Sequence, residues 1–97
     1  MQEKVKAHLI ISGKVQGVWF RAETQKAAVQ FGVSGWVRNK KDGTVEAVAE
    51  GDKRDVTSLI NWCQKGPPLA RVVKVDVQWN EYQGKFEHFD VLYSHTM

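Results

Sequence analysis

The segment from residue 13 to residue 21 carries the residue types that can hold a phosphate group. It reads Gly-Lys-Val-Gln-Gly-Val-Trp-Phe-Arg, with two glycines, no acidic residue and a terminal arginine. Glycines permit backbone conformations in which successive N–H groups wrap an anion. The Arg21 guanidinium stays ionised and can bind two phosphate oxygens, so it suits charge stabilisation and not proton transfer. The pattern indicates an anion cradle, but an ordinary strand-to-helix turn with a solvated arginine would look similar.

Asn39 is a second candidate for chemistry. It stands between Arg38 and Lys40, just before an Asp42-Gly43 turn signal. Asparagine at such a place often only forms the turn. Its amide can also hold a water molecule, as donor and as acceptor. The choice between these interpretations depends on whether the fold brings Asn39 to the glycine-bearing segment.

Hydrophobic periodicity predicts the elements that position these residues. Five segments alternate apolar and polar residues with the period of a strand: 5–12, 35–39, 44–50, 73–79 and 89–93. Two segments have helical spacing, 20–31 and 53–65, and Gly32 and Gly66 are expected to end them. Asp52 is a suitable N-cap for the second helix.

The order is β-α-β-β-α-β with one extra short strand, which predicts an α+β fold of the ferredoxin-like type. In this fold, two helices cover one face of a mostly antiparallel sheet. The first crossover makes strands one and two parallel, so their C-terminal ends lie at the same sheet edge, although another strand separates them. Helix one begins at that edge and presents free N–H groups. The topology therefore predicts that Arg21 and Asn39 face one site.

Composition limits the class of protein. A chain of 97 residues with 42% hydrophobic residues predicts a single domain spanning 1–97. No run approaches the roughly 20 apolar residues of a membrane helix, and the start does not resemble a signal peptide. A soluble, cytoplasmic protein is expected. The net charge of +3 suits an anionic partner, either a small phosphate compound or a nucleic acid.

Other conspicuous side chains favour structural roles. The single cysteine, Cys63, falls on an apolar helical position and is expected to fill the core. No metal is expected, because the histidines lack metal-site spacing: His8, His88 and His95. Three tryptophans fit strand or helix patterns and are expected to pack: Trp36, Trp62 and Trp79. Trp19, inside the glycine-bearing segment, could contact a ligand or pack.

Two segments resemble the signatures of the acylphosphatase family. Residues 13–21 match its phosphate-binding signature. In that signature a glycine, a basic residue and Val-Gln-Gly-Val are followed by an aromatic or small residue, an aromatic residue and arginine. Residues 35–45, Gly-Trp-Val-Arg-Asn-Lys-Lys-Asp-Gly-Thr-Val, resemble the second signature, which continues to Glu50-Gly51. The resemblance covers about residues 5–93.

The resemblance implies a hydrolase that cleaves the carboxyl–phosphate anhydride of acyl phosphates without metal, cofactor or covalent intermediate. It implies that Asn39 orients the attacking water. It also implies that Arg21 and a run of backbone amides bind the phosphate: Val15, Gln16, Gly17, Val18, Trp19 and Phe20. The substrate's own phosphate is expected to take the water's proton. The family further implies a monomer, inhibition by inorganic phosphate, and acetyl phosphate, carbamoyl phosphate or 1,3-bisphosphoglycerate as candidate substrates.

Two rival interpretations remain at the level of sequence. RNA-recognition domains share this element order, but they stack bases on aromatics of the two central strands. Here the helix-free face is expected to carry no aromatic residue from strands one and three: Lys6, His8 and Ile10, with Thr44, Glu46, Val48 and Glu50. No nucleic-acid or membrane partner is therefore expected. The second rival is a non-catalytic sensing domain on the same fold that binds phosphate. Residues 94–97 are expected to be a frayed tail.

Overall fold

The computed structural model describes residues 3–93, which form five strands and two helices. In chain order these are β1 (Lys4–Lys14), α1 (Phe20–Phe31), β2 (Ser34–Asn39), β3 (Val45–Asp52), α2 (Lys53–Lys65), β4 (Arg71–Asn80) and β5 (Phe89–Leu92). Both helices have the predicted bounds. Three strand ends differ by two residues from the prediction, because pairing with a neighbour can continue past the apolar alternation. Gly13 and Lys14, for example, still pair with Val72 and Arg71 of β4.

The sheet has the order β4-β1-β3-β2-β5. Strand β3 runs antiparallel to both β1 and β2, so β1 and β2 are parallel to each other with β3 between them. Strand β5 pairs parallel to β2 at one edge. The predicted α+β, ferredoxin-like arrangement is confirmed, and the C-terminal ends of β1 and β2 lie at one end of the sheet. We call this the site end, and the other the distal end.

The core lies between the helices and one face of the sheet. Ala7, Leu9 and Ile11 of β1 are fully buried there, because alternate residues of a strand share a face. The α2 residues that pack against the sheet include Cys63, whose thiol is fully buried. Burial raises the pKa of Cys63 to about 12, which keeps the thiol neutral and unreactive. The predicted core role of Cys63 is confirmed.

The tryptophans differ in their packing. Trp62 of α2 contacts Phe20 of α1 edge to face, with ring centroids 5.7 Å apart. Trp36 lies half-buried on the helix-free face, with the Arg38 guanidinium 5.4 Å from its ring centroid. Trp79 is 47% exposed, so its predicted packing role is wrong. The reason is its place near the end of the edge strand β4, which has a neighbouring strand on one side only.

The helix-free face carries charged residues on the central strands. The register places Lys6, His8 and Ile10 of β1 opposite Glu50, Val48 and Glu46 of β3. Glu46 accepts hydrogen bonds at 2.6 Å from His8 Nε2 and from Arg38 Nε. As predicted, β1 and β3 present no aromatic ring here, so the base-stacking platform of an RNA-recognition domain is missing. Trp36 on β2 is a single ring outside the two central strands.

Residues 81–88 form a loop, which we call the crossing loop, that joins β4 at one edge of the sheet to β5 at the other. It passes over the helix-free face at the distal end. Glu50 Oε2 accepts hydrogen bonds from the backbone N–H groups of Gln83, at 2.8 Å, and Gly84, at 3.3 Å. Lys6 Nζ donates to Gln83 Oε1 at 3.0 Å. The crossing loop thus covers Glu50, which is 1% exposed on a face that no helix covers, and satisfies its Oε2 atom. Its Oε1 atom is buried and accepts no hydrogen bond from the described residues.

Candidate active site

The connection from β1 to α1 turns sharply at the site end. Gly17 has φ of 75°, and Trp19, the N-cap residue of α1, has φ of 68°. Trp19 is the one non-glycine residue with positive φ in the described part of the chain. This conformation costs a non-glycine residue roughly 1–2 kcal/mol. Such strain at a defined position is typical of functional loops.

The connection presents backbone N–H groups that the protein itself does not use. Within residues 3–93, no backbone or side-chain acceptor takes a hydrogen bond from the amides of residues 15–19. The first amide of α1 that bonds back is Glu23 N–H, which donates to Trp19 O at 3.0 Å. Trp19 makes no side-chain cap, since an indole has no acceptor. We call residues 15–19 and the first turn of α1 the cradle; it is a concentration of donors with partial positive charge.

Buried side chains fix the shape of the cradle. Val15, Val18 and Phe20 are each at most 4% exposed and belong to the core. Their side chains therefore pack, and their contribution to a bound anion is limited to the backbone. Gln16 Nε2 donates to Lys40 O at 2.7 Å and to Thr44 O at 2.9 Å. Gln16 therefore ties the cradle to the turn between β2 and β3.

The turn between β2 and β3 is itself held rigidly. Lys40 N–H donates to Thr44 O at 2.9 Å. Asp42 Oδ1 accepts from the Thr44 hydroxyl at 2.6 Å and from the Thr44 N–H at 3.0 Å. These hydrogen bonds, the hydroxyl first, lower the pKa of Asp42. Asn39 precedes this turn directly, so its position relative to the cradle is well defined.

The structure brings most of the predicted site residues to one pocket with a volume of about 280 Å³. Its described lining consists of Val15, Gly17, Trp19, Phe20, Arg21, Ala22, Asn39 and Tyr93. Gln16 and Val18 are not among these residues. Gln16 braces the β2–β3 turn, and the side chain of Val18 packs in the core. Ala22 and Tyr93 were missed. Ala22 follows Arg21 directly, but only the position of β5 beside β2 brings Tyr93 here.

Arg21 and Asn39 have distinct environments in the pocket. The Arg21 guanidinium lies 5.0 Å from the centroid of the Tyr93 ring, a cation–π contact. The Oδ1 atom of Asn39 is buried and accepts no hydrogen bond from the described residues. A buried acceptor without a partner costs about 1–3 kcal/mol. Such an atom in a pocket wall is suited to hold a water molecule or a ligand.

None of the described lining residues is acidic or a histidine. Across residues 3–93, no three His, Cys, Asp or Glu side chains converge as metal ligands would. His8 bonds to Glu46 on the helix-free face and His88 belongs to the crossing loop. His95 and the rest of the predicted tail, 94–97, lie outside the described residues. In the same described range, no helix is long and apolar enough to cross a bilayer.

Two curated proteins with similar sequences are acylphosphatases. The acylphosphatase of Pelotomaculum thermopropionicum is 50% identical over 90 residues, which are 93% of this chain and 98% of the relative. The acylphosphatase of Pyrobaculum islandicum is 55% identical over 91 residues, which are 93% of this chain and 96% of the relative. Both relatives thus match almost end to end.

Solved structures give the same result. The crystal structure of acylphosphatase from Bacillus subtilis superposes with a TM-score of 0.88 at 31% identity, covering 92% of this chain and 99% of that one. An acylphosphatase structure from Coxiella burnetii has a TM-score of 0.87 at 36% identity, covering 92% and 93%. The sequence model of the acylphosphatase family matches residues 7–91. This chain therefore belongs to the acylphosphatase family, and it is an enzyme that hydrolyses acyl phosphates.

Proposed function

We propose that the pocket at the site end is the catalytic centre, in which Arg21 and the cradle amides bind the phosphoryl group while Asn39 positions the attacking water. One observation carries this proposal. A cationic side chain, a set of unpartnered amides and a buried unpartnered amide oxygen line one pocket of about 280 Å³.

Binding of the phosphoryl group rests on donors that need no rearrangement. The cradle amides are already oriented by the core side chains of Val15, Val18 and Phe20. Arg21 adds a permanent positive charge with two parallel N–H groups for two phosphoryl oxygens. Donors fixed before the reaction stabilise charge in the transition state more effectively than mobile ones. Inorganic phosphate, the product, has the same oxygens and should compete for the same donors.

The chemistry needs little more than positioning. The Asn39 Oδ1 atom accepts a hydrogen bond from water, whose oxygen attacks phosphorus on the side opposite the carboxylate. The bond from phosphorus to the acyl oxygen breaks, and its electron pair leaves with the carboxylate. The water's proton passes to a non-bridging phosphoryl oxygen. Because a carboxylate is a weak base, whose conjugate acid has a pKa of about 4, it leaves without protonation. Positioning and electrostatics can therefore carry the reaction without a metal or a protein base.

Benzoyl phosphate hydrolysis, measured with a chelator present, tests this assignment. We expect Arg21→Ala to lower kcat/KM by about 1000-fold, since it removes the charge that opposes the phosphoryl group. We expect Asn39→Ala to lower kcat by about 100-fold with a smaller effect on KM, since the water loses its acceptor while phosphate is still bound. Inorganic phosphate should inhibit the wild-type and Asn39→Ala enzymes competitively, and Arg21→Ala only weakly.

Matched controls come from α2, whose residues are not part of the described pocket lining. Arg54→Ala and Asn61→Ala remove the same side-chain types from exposed helical positions and should leave kcat and KM unchanged. Thermal unfolding of all four variants separates loss of activity from loss of fold. Full activity in folded Arg21→Ala or Asn39→Ala would contradict the catalytic roles of these two side chains. Loss of wild-type activity in the chelator would contradict metal independence.

A further inference from the structure

The pocket continues beyond the phosphoryl-binding groups into a wall that the proposed chemistry does not use. Besides Arg21 and Asn39, its lining includes Trp19, Ala22 and Tyr93. These three side chains offer large apolar surface and no group that the reaction requires. A volume of about 280 Å³ is close to the lower range of small-ligand sites, so it leaves room for a group attached to the phosphate.

The two aromatic rings of this wall are not core residues. Trp19 is 72% exposed and Tyr93 is 71% exposed. The other tryptophan of this region, Trp62, packs edge to face against Phe20 and is partly buried against the core. Trp19 also holds a strained φ of 68°, at an N-cap position where Asn, Asp or Gly would be less costly. Neither packing nor backbone geometry accounts for a tryptophan here.

Tyr93 is coupled to the phosphoryl-binding group. Its ring lies 5.0 Å from the Arg21 guanidinium, so an anion held by Arg21 is bound next to this ring. Trp19 immediately precedes the first turn of α1, whose amides belong to the cradle. Both rings therefore line the same pocket as Arg21 and Asn39, next to the groups proposed to bind the phosphoryl group.

We propose that Trp19 and Tyr93 form an acyl-group subsite that favours aromatic acyl phosphates over small aliphatic ones. The inference rests on the proposed function, because the phosphoryl group must occupy the cradle. A planar aromatic acyl group can stack on exposed rings and cover them from water, whereas an acetyl group is too small to do so. Ala22 offers a small side chain in the same wall and so leaves space for that group.

The test compares kcat/KM for benzoyl phosphate with kcat/KM for acetyl phosphate. We expect Trp19→Ala to lower the ratio of these two values by about tenfold, mainly through KM for benzoyl phosphate, with Tyr93→Ala acting in the same direction. Trp19→Gly should give the same ratio as Trp19→Ala, although glycine adopts positive φ without strain. That agreement assigns the effect to the ring and not to the backbone. Trp19→Phe should restore most of the preference.

Trp79→Ala is the matched control, since Trp79 is an exposed tryptophan near the distal end, opposite Ala7 of β1. It should leave the ratio and both activities unchanged. If Trp19→Ala and Tyr93→Ala still hydrolyse acetyl phosphate and have the wild-type ratio of the two kcat/KM values, the acyl-group subsite is wrong. The proposed function is not affected by that result. The proposed roles of Arg21 and Asn39 are tested separately, by the activity of the Arg21→Ala and Asn39→Ala enzymes. Full activity in those variants would contradict these roles and, with them, the subsite.

Discussion

Two glycine-containing loops at opposite ends of the sheet present backbone amides, but only one of them meets an internal anion. At the distal end, the amides of Gln83 and Gly84 donate to the Glu50 carboxylate. At the site end, the amides of residues 15–19 have no acceptor within the described chain. In the distal loop the protein supplies the anion, the Glu50 carboxylate. In the cradle at the site end, we propose that the substrate supplies it.

The comparison shows how the same backbone chemistry serves stability or binding. An amide that bonds to a protein carboxylate contributes to folding and is not available to a ligand. Amides left without a partner make the folded state less stable but preorganise the site. In the cradle, the core side chains of Val15, Val18 and Phe20 and the brace from Gln16 keep the loop in place without using its amides.

An acidic residue placed in the cradle should make the site end resemble the distal end. We expect Ala22→Asp to lower kcat/KM for acetyl phosphate by about 100-fold, because its carboxylate competes with the phosphoryl group for the same amides. The unfolding temperature should stay level or rise, since a negative charge in the first turn of a helix is favourable by about 0.3–1 kcal/mol. Ala22→Asn has nearly the same size without the charge and should lose much less activity. Equal losses in the two variants would show that charge is not the cause.

Removal of the internal anion should affect stability and not catalysis. We expect Glu50→Ala to lower the free energy of unfolding by about 2 kcal/mol, because the Gln83 and Gly84 amides lose a charged acceptor. Glu50→Gln retains one acceptor and should cost about half as much. Urea unfolding measures both, and kcat per folded molecule should match the wild type. Glu87→Gln, an exposed change in the crossing loop, serves as control. A large loss of kcat in folded Glu50→Gln would mean that the two ends are coupled.

Loosening the brace should lower activity without supplying a competing charge. We expect Gln16→Ala to reduce kcat by about tenfold, since small displacements between Asn39 and the cradle misplace the water relative to phosphorus. The free energy of unfolding should fall by about 1 kcal/mol, because the carbonyl groups of Lys40 and Thr44 lose their donor and are only partly compensated by water. Saturating benzoyl phosphate kinetics measure the effect, with Gln78→Ala on the edge strand β4 as control. A change in KM alone would place Gln16 in binding and not in alignment.

The smallest effect concerns Glu46, the second residue of β3, which pairs with Arg38 next to the site end. Burial raises its pKa, but the stronger combined influence of His8 and Arg38 lowers the value below its ordinary 4.5. The native state therefore favours the ionised carboxyl more than the unfolded chain does. Its contribution to stability should be complete above pH of about 4.5 and should be lost as pH falls through the lowered pKa. Urea unfolding of wild type and Glu46→Gln across this range measures it; parallel pH profiles would contradict the assignment.

The two helices and most of each strand could be predicted from the sequence, because they depend on local periodicity. Phe20 to Phe31 and Lys53 to Lys65 have the observed bounds, since Gly32 and Gly66 end the apolar spacing. The N-cap of α2 shows where local reasoning failed. Asp52 stands at the predicted position but makes no side-chain cap; its carboxylate bonds to Lys4 Nζ at 2.9 Å. A partner 48 residues away in sequence cannot be deduced from local spacing.

The site was predictable to the extent that it follows from topology. A parallel crossover was enough to place Arg21 and Asn39 at the same end of the sheet, because it fixes the direction of β1 and β2. Three features could not be predicted from the sequence: Gln16 is a brace, Trp19 is exposed in a strained conformation, and Tyr93 stacks on Arg21. Each of these features depends on groups that are far apart in sequence but close in space, or on whether a neighbouring element covers the side chain. Periodicity predicts on which face of a helix or strand a residue lies. The contacts of that residue depend on the elements that pack against this face.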